Sequence, residues 1–239
     1  MPAARSRMRS VGGRDAEDPL RKSPKKPAAI LGTGGVGNTN GTTMDQLWTP
    51  WRFAYVTTAD GAPRPGVPVS LAAWPGDKGC VFCNLIASVD HAIANGMSAE
   101  EAEAAGGIVV RGKHCYICLN AYPYTSGHVM VVPYAHLDRL AGMTVEAAHE
   151  MMDLARRTEL VMERLYHPHG LNIGMNLGKA AGAGVAAHLH LHALPRWIGD
   201  TNFMTTVAET RVLPEDLTQT WRRMREAFKA GTEGTGTGE

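Results

Sequence analysis

The sequence predicts an α+β domain: an antiparallel sheet of about five strands with helices packed against it. Short runs rich in Val, Ile and Leu recur at 108–111, 115–120, 129–133, 171–177 and 189–194, lengths typical of strands. Two longer stretches, 144–165 and 214–228, instead repeat apolar residues every three or four positions, the helical spacing. In the last strand-like run, His188-Leu189-His190-Leu191-His192 alternates two residue types. A strand sends alternate side chains to opposite faces, so three imidazoles line one face while Leu189, Leu191 and Ala193 pack behind.

Taken in order, residues 1–43 combine scattered Arg and Lys with a Gly/Thr/Asn-rich stretch and read as a disordered tail. Gly32-Thr-Gly-Gly-Val-Gly37 fits a dinucleotide-binding glycine pattern, which requires a preceding strand, a following helix and an acid about twenty residues on. Only Ala28–Leu31 precedes it, Asn38–Gly41 follows, and Arg52 stands near the acid position, so the pattern is rejected. Order is expected from Leu47-Trp48-Thr-Pro-Trp51-Arg52, whose tryptophans need cover. The folded domain is placed at 44–230, and 231–239 forms a second disordered tail. Residues 59–79, rich in Pro and Gly, read as loop. Ser98-Ala-Glu-Glu101 is a capping box opening a short helix that Gly106-Gly107 closes. Gly112 turns the first two strands. Thr144 caps the longer helix, which places Ala148, Met151, Met152, Ala155, Met162 and Leu165 on one face. Pro214 opens the final helix, carrying Leu217, Trp221, Met224 and Phe228.

Composition narrows the function. A chain of 239 residues with 44% hydrophobic content can bury a sizeable core. A formal net charge of +1 gives no global field for nucleic acid. No apolar run reaches the roughly 18 residues that span a bilayer, so no membrane partner is expected. Arg5, Arg7 and Arg9 are followed by no apolar segment, which argues against a secretory signal and for a cytoplasmic protein. In that compartment Cys80-Val-Phe-Cys83 and Cys115-Tyr-Ile-Cys118 point to metal before disulfides.

Cys80 and Cys83 have the spacing of half a tetrahedral zinc site, and two further ligands must complete it. Cys115 and Cys118 are one option. Their offset of three on a strand sends the thiols to opposite faces, which favours reading them as strand or core residues. Histidines are the other option. The three imidazoles at 188, 190 and 192 can bind metal, bind anions or supply a nucleophile that titrates near neutral pH. Gly178–Gly184 supplies backbone N–H groups suited to phosphate, with Lys179 adding charge.

Collinear over residues 47–205, the chain resembles the histidine triad (HIT) family of nucleotidyl hydrolases and transferases. The matching residues are Leu119-Asn120, Ser126-Gly-His-Val-Met-Val-Val-Pro133, Asn176, His188-Leu-His-Leu-His192 and Leu194-Pro-Arg-Trp197. Leu47-Trp-Thr-Pro50 and Gly199-Asp-Thr-Asn-Phe203 look most like its diadenosine polyphosphate phosphorylase and hydrolase branch. The resemblance implies cleavage of a dinucleoside polyphosphate at the α-phosphorus, with His190 as nucleophile and His192 donating to phosphate oxygens. It places Asn120 at the ribose and Asn176 at the phosphate or ribose. It also implies a HIT-like fold, a homodimer, and a structural zinc completed by His136 and His188 beside Cys80 and Cys83. The chain departs from many relatives at Gly184, where they carry Gln or Ser, and Val185 offers no polar side chain either. Phosphorolysis and hydrolysis therefore both stay open, as does a weakly active or non-catalytic nucleotide-binding protein.

Overall fold

A computed structural model describes residues 64–200 and 215–233. The tail at 1–43, the glycine pattern at 32–37, Trp48 and Trp51, Thr201–Phe203, Pro214 and residues 234–239 lie outside the described residues.

Five strands form one sheet: β1 (Ile108–Arg111), β2 (Cys115–Leu119), β3 (Val129–Pro133), β4 (Gly170–Met175) and β5 (Leu191–Arg196). Every pairing is antiparallel and the order is β1-β2-β3-β5-β4. The expected α+β fold with a five-stranded antiparallel sheet is what forms. Among the described residues four α-helices accompany it: α1 (Val81–Ala94), α2 (Ala99–Gly106), α3 (Val145–Tyr166) and α4 (Leu217–Glu233). None of the described helices is long and apolar enough to cross a membrane.

Strand alternation divides the core in two. Val109, Cys115, Ile117, Leu119, Val129, Val131, Leu189, Leu191 and Ala193 pack with Met151, Leu154 and Met162 of α3 and Trp221, Met224 and Phe228 of α4. Ile108, Tyr116, Cys118, Met130 and Val132 pack instead with Cys80, Phe82, Val89 and Ala102, from α1, its start and α2. Cys115 and Cys118 thus fall on opposite sides of the sheet, as their spacing requires. Burial pushes both thiols up to about 12, so they stay protonated core residues.

Local chemistry fixes the helix ends. Ser98 accepts from the Glu101 N–H while Glu101 returns to the Ser98 N–H, the reciprocal box expected from sequence. Gly107 closes α2 at φ 66°, where only a residue lacking Cβ sits without strain. Thr144 accepts from the Ala147 N–H and starts α3. The Glu150 carboxylate then takes the backbone N–H groups of Lys113, His114 and Cys115, pinning α3 to the β1–β2 turn. The α4 helix is held by Trp221 Nε1 donating to the Ile108 carbonyl at 2.8 Å, and by Arg225 on buried Glu103.

Two expectations shift. Helix α1 was not expected, although Leu85, Ile86, Val89 and Ile93 repeat at helical spacing. The strand carrying the histidines begins at Leu191, so His188 and His190 lie just ahead of it. Their alternation survives nevertheless, because Leu189, Leu191 and Ala193 all join the α3 side of the core.

Candidate active site and metal centre

Helix α1 begins at the extended N-cap residue Cys80, so Cys80 and Cys83 share the mouth of its first turn. Opposite them stand His136, just past β3, and His188, just ahead of β5. The candidate ligand atoms of these four residues all lie within 4.8 Å of one another. Cys80 Sγ is 3.3 Å and Cys83 Sγ 3.6 Å from His188 Nδ1, and Cys83 Sγ is 3.4 Å from His136 Nδ1. A tetrahedral ion with bonds of about 2.3 Å to sulfur and about 2.0 Å to nitrogen separates S and N by about 3.5 Å. The group therefore fits a metal in both donor type and spacing.

His188 is oriented for ligation. Its Nε2–H donates to the Pro133 carbonyl at 2.9 Å, which leaves the Nδ1 lone pair facing the thiols. Burial pushes the Cys83 thiol up to about 11 and lowers His188 to about 4. In metal-free protein this has a signed consequence. Native His188 stays neutral while the unfolded chain takes up a proton near pH 6.5, so stability is full above that pH and falls as pH drops towards 4. The loss amounts to at most about 3 kcal/mol. Denaturant midpoints of metal-free protein between pH 7.5 and 4 should show it, and His188→Gln should flatten that slope.

The other two histidines face a cavity of about 1020 Å³, the upper end of the range for small-molecule sites. Its walls come from Pro65–Pro68, the first turns of α1, the end of α2, Asn120–Tyr124, Gly182, Gly184 and Val185, and Leu217–Thr218 of α4. His190, 4% exposed, donates Nδ1–H to the His188 carbonyl at 2.8 Å. That bond leaves Nε2 as the lone-pair nitrogen, and burial holds the ring's pKa below its usual value, which keeps it neutral. A buried, neutral imidazole with a fixed tautomer is a competent nucleophile.

His192 is set the opposite way. The Tyr124 N–H donates to His128 Nδ1 at 3.2 Å, so neutral His128 carries its proton on Nε2. His128 Nε2 lies 3.0 Å from His192 Nδ1, which then accepts and leaves the His192 proton on Nε2. The two rings thus carry opposite tautomers, with the lone pair on Nε2 of His190 and the proton on Nε2 of His192. Nothing in the spacing of His128 marks it in the sequence for this role. Its partner was hidden because only the β3–β5 register, with Met130 opposite His192, brings the two rings together. Phe82 was also missed: its ring lies 5.3 Å from that of His188 and 5.0 Å from that of His190, wedged between metal group and cavity.

Of the remaining sequence candidates, Asn120 and Gly184 line the cavity. Asn120 Oδ1 accepts from the Tyr122 N–H at 3.0 Å and shapes the loop wall. Asn176, half-buried after β4, and Lys179, exposed at the start of a short 3₁₀ turn, are not among the described lining residues.

A histidine row on a five-stranded antiparallel sheet, beside an α1 turn bearing two cysteines, defines the class. The chain belongs to the histidine triad (HIT) family, whose HIT domain matches residues 101–197. It is 36% identical over 179 residues to the AP-4-A phosphorylase of Mycobacterium tuberculosis, covering 75% of this chain and 82% of that protein. An uncharacterized HIT-like protein of Methanocaldococcus jannaschii is 31% identical over 121 residues, 51% of this chain and 81% of that one. Among solved structures, a Zn-bound histidine triad family protein from Mycobacterium smegmatis aligns with a TM-score of 0.48 and 26% identity. That alignment covers 64% of this chain and 96% of the other.

Proposed function

We propose that this protein is a nucleotidyl transferase or hydrolase that cleaves a dinucleoside polyphosphate, such as diadenosine tetraphosphate, at an α-phosphorus. The observation that carries the reading is the fixed tautomer of His190, whose Nδ1–H is spent on the His188 carbonyl. Nε2 attacks the α-phosphorus, an N–P bond forms, and the bond to the bridging oxygen breaks to release a nucleoside triphosphate. His192, holding its proton on Nε2, hydrogen-bonds the departing oxygen and disperses its charge. A second nucleophile then opens the nucleotidyl-histidine: phosphate yields ADP, water yields AMP. The 36% identity to a protein named AP-4-A phosphorylase supports this substrate class. Asn120 and Gly184 serve substrate binding from the cavity wall, and Asn176 and Lys179 do so from the loop beside it.

Within the same reading, Cys80, Cys83, His136 and His188 hold a zinc ion, which suits mixed thiolate and imidazole donors. Four protein ligands leave no open position, so the ion is structural. The protein is also a homodimer: among the described residues β4 stands at the edge of the sheet, with Ile173 40% and nearby Ile198 87% exposed. A monomeric mass at micromolar concentration would remove that part.

Incubation with diadenosine tetraphosphate, with and without inorganic phosphate, tests the reading. ADP plus ATP marks phosphorolysis, AMP plus ATP hydrolysis, and nucleotide binding without products a non-catalytic binder. His128→Ala should lower kcat about 100-fold while KM moves less than about threefold, since it frees the His192 tautomer without touching the nucleophile. Steady-state kinetics on the folded variant measure both.

A further inference from the structure

Asn84, one residue beyond Cys83, is fully buried. Its side chain joins two segments distant from each other in sequence. Oδ1 accepts from the Lys78 N–H at 2.6 Å, and Nδ2 donates to Asp77 Oδ1 at 2.8 Å and to the Pro65 carbonyl at 2.9 Å. The first two bonds, with Gly79 N–H on the same Asp77 oxygen, close the loop 77–79 that delivers Cys80. The Asn84 amide, followed by the Gly79 N–H, holds the Asp77 carboxyl below its usual range. The third bond reaches the cavity wall, since Pro65–Pro68 line the space shared by His190 and His192. That wall lies flat on the first turn of α1: Gly66 has φ 84°, and a Cβ there would sit 2.2 Å from the Val81 carbonyl oxygen. One turn of helix therefore carries two metal-site cysteines on one side and a wall of the nucleotide cavity on the other.

We propose that Asn84 is a positioning residue that couples the metal centre to the nucleotide cavity, so that disturbing its amide weakens metal affinity and substrate binding together. The inference rests on the zinc and nucleotide readings above. It adds a residue that touches neither ligand, and it divides the coupling into two separable arms. The 77–79 arm presents Cys80, and the Pro65 arm seats the wall. His190 and His192 are held by bonds to His188 and His128 that do not involve α1, so as long as zinc is bound the chemical step is untouched.

Zinc affinity by chelator competition and KM for diadenosine tetraphosphate are the two readouts, both at matched folding by circular dichroism. Asn84→Ala is expected to weaken zinc binding about 10- to 100-fold, in line with the loss of other outer-shell partners. It should raise KM about tenfold at saturating zinc, with kcat within about threefold. Asn84→Asp turns both donated bonds into oxygen–oxygen repulsion and should do at least as much harm. Adding Asp77→Asn restores a donor between those two positions at the cost of the Gly79 N–H bond, so the double variant should recover part of the zinc affinity lost in Asn84→Asp while KM stays high, because the Pro65 carbonyl still faces a carboxylate. This pair also decides the matter should Asn84→Ala fail to fold. Wild-type zinc affinity and KM in folded Asn84→Ala overturn the proposal, as does a double variant that recovers both quantities or neither. A wild-type protein that binds no zinc, or no nucleotide, overturns the earlier reading and this one with it, and is seen before any variant is made.

Discussion

His190→Ala is expected to lower kcat by about 10⁴-fold or more while the protein still binds diadenosine tetraphosphate with an affinity close to wild type. The magnitude follows from what the side chain would do. In the proposed mechanism every other polar group at the cavity would position oxygens or disperse charge, whereas His190 Nε2 would form the bond to phosphorus. No neighbour can replace it. His192 holds its proton on Nε2, and His188 turns Nε2 to the Pro133 carbonyl and Nδ1 to the cysteines. Binding survives because the walls come from Pro65–Pro68, Asn120–Tyr124 and Leu217–Thr218, none of which packs through the reacting nitrogen. Two measurements check this: turnover, and calorimetric binding of the uncleaved dinucleotide to the variant. A third looks for the intermediate, since substrate labelled at the α-phosphorus should leave acid-labile label on wild type and none on His190→Ala. Wild-type turnover in the variant would remove the mechanism.

Much of this site was legible because its residues announce themselves by spacing. His188, His190 and His192 share a face whichever backbone carries them, and Cys80 and Cys83 at one helical turn's separation suit one ion. The same parity separated Cys115 from Cys118 before any fold was known, and the structure sets them in different halves of the core. What escaped depends on distance in sequence. Helix α1 was overlooked because its apolar residues follow a long Pro/Gly stretch and carry no capping side chain at Cys80. His128 gained its partner only when β3 and β5 paired, 64 residues apart in the chain. Asn84 reads in sequence as an ordinary polar residue after a cysteine. Its importance lies in burial and in partners at 65, 77 and 78, which the turn of the chain before α1 brings to it.

Cys80→Ser is expected to lose bound zinc and on the order of 5 kcal/mol of stability, a fall in Tm of about 10–20 °C for a domain of this size. The size of the effect reflects where the ligands come from. Cys80 and Cys83 stand at the start of α1, His136 follows β3, and His188 precedes β5, so one ion held by all four would tie a helix to two neighbouring strands. The residue two beyond His188 is His190, whose tautomer is fixed by the His188 carbonyl. Metal loss is therefore expected to reduce turnover as well as stability, through the backbone that aims the nucleophile. Cys115→Ser and Cys118→Ser make the contrast. Each buries a hydroxyl among apolar neighbours and costs about 1–3 kcal/mol, yet neither should change zinc content, because the two thiols lie on opposite faces of β2. Metal analysis of the wild type, expected near one zinc per chain, and of these single variants with His136→Ala separates the two ligand sets. Zinc retained in Cys80→Ser and lost in Cys115→Ser would transfer the site to the second cysteine pair. Loss of zinc from His136→Ala and Cys80→Ser alike, with full content in Cys115→Ser, ties the ion to the residues that frame the nucleophile.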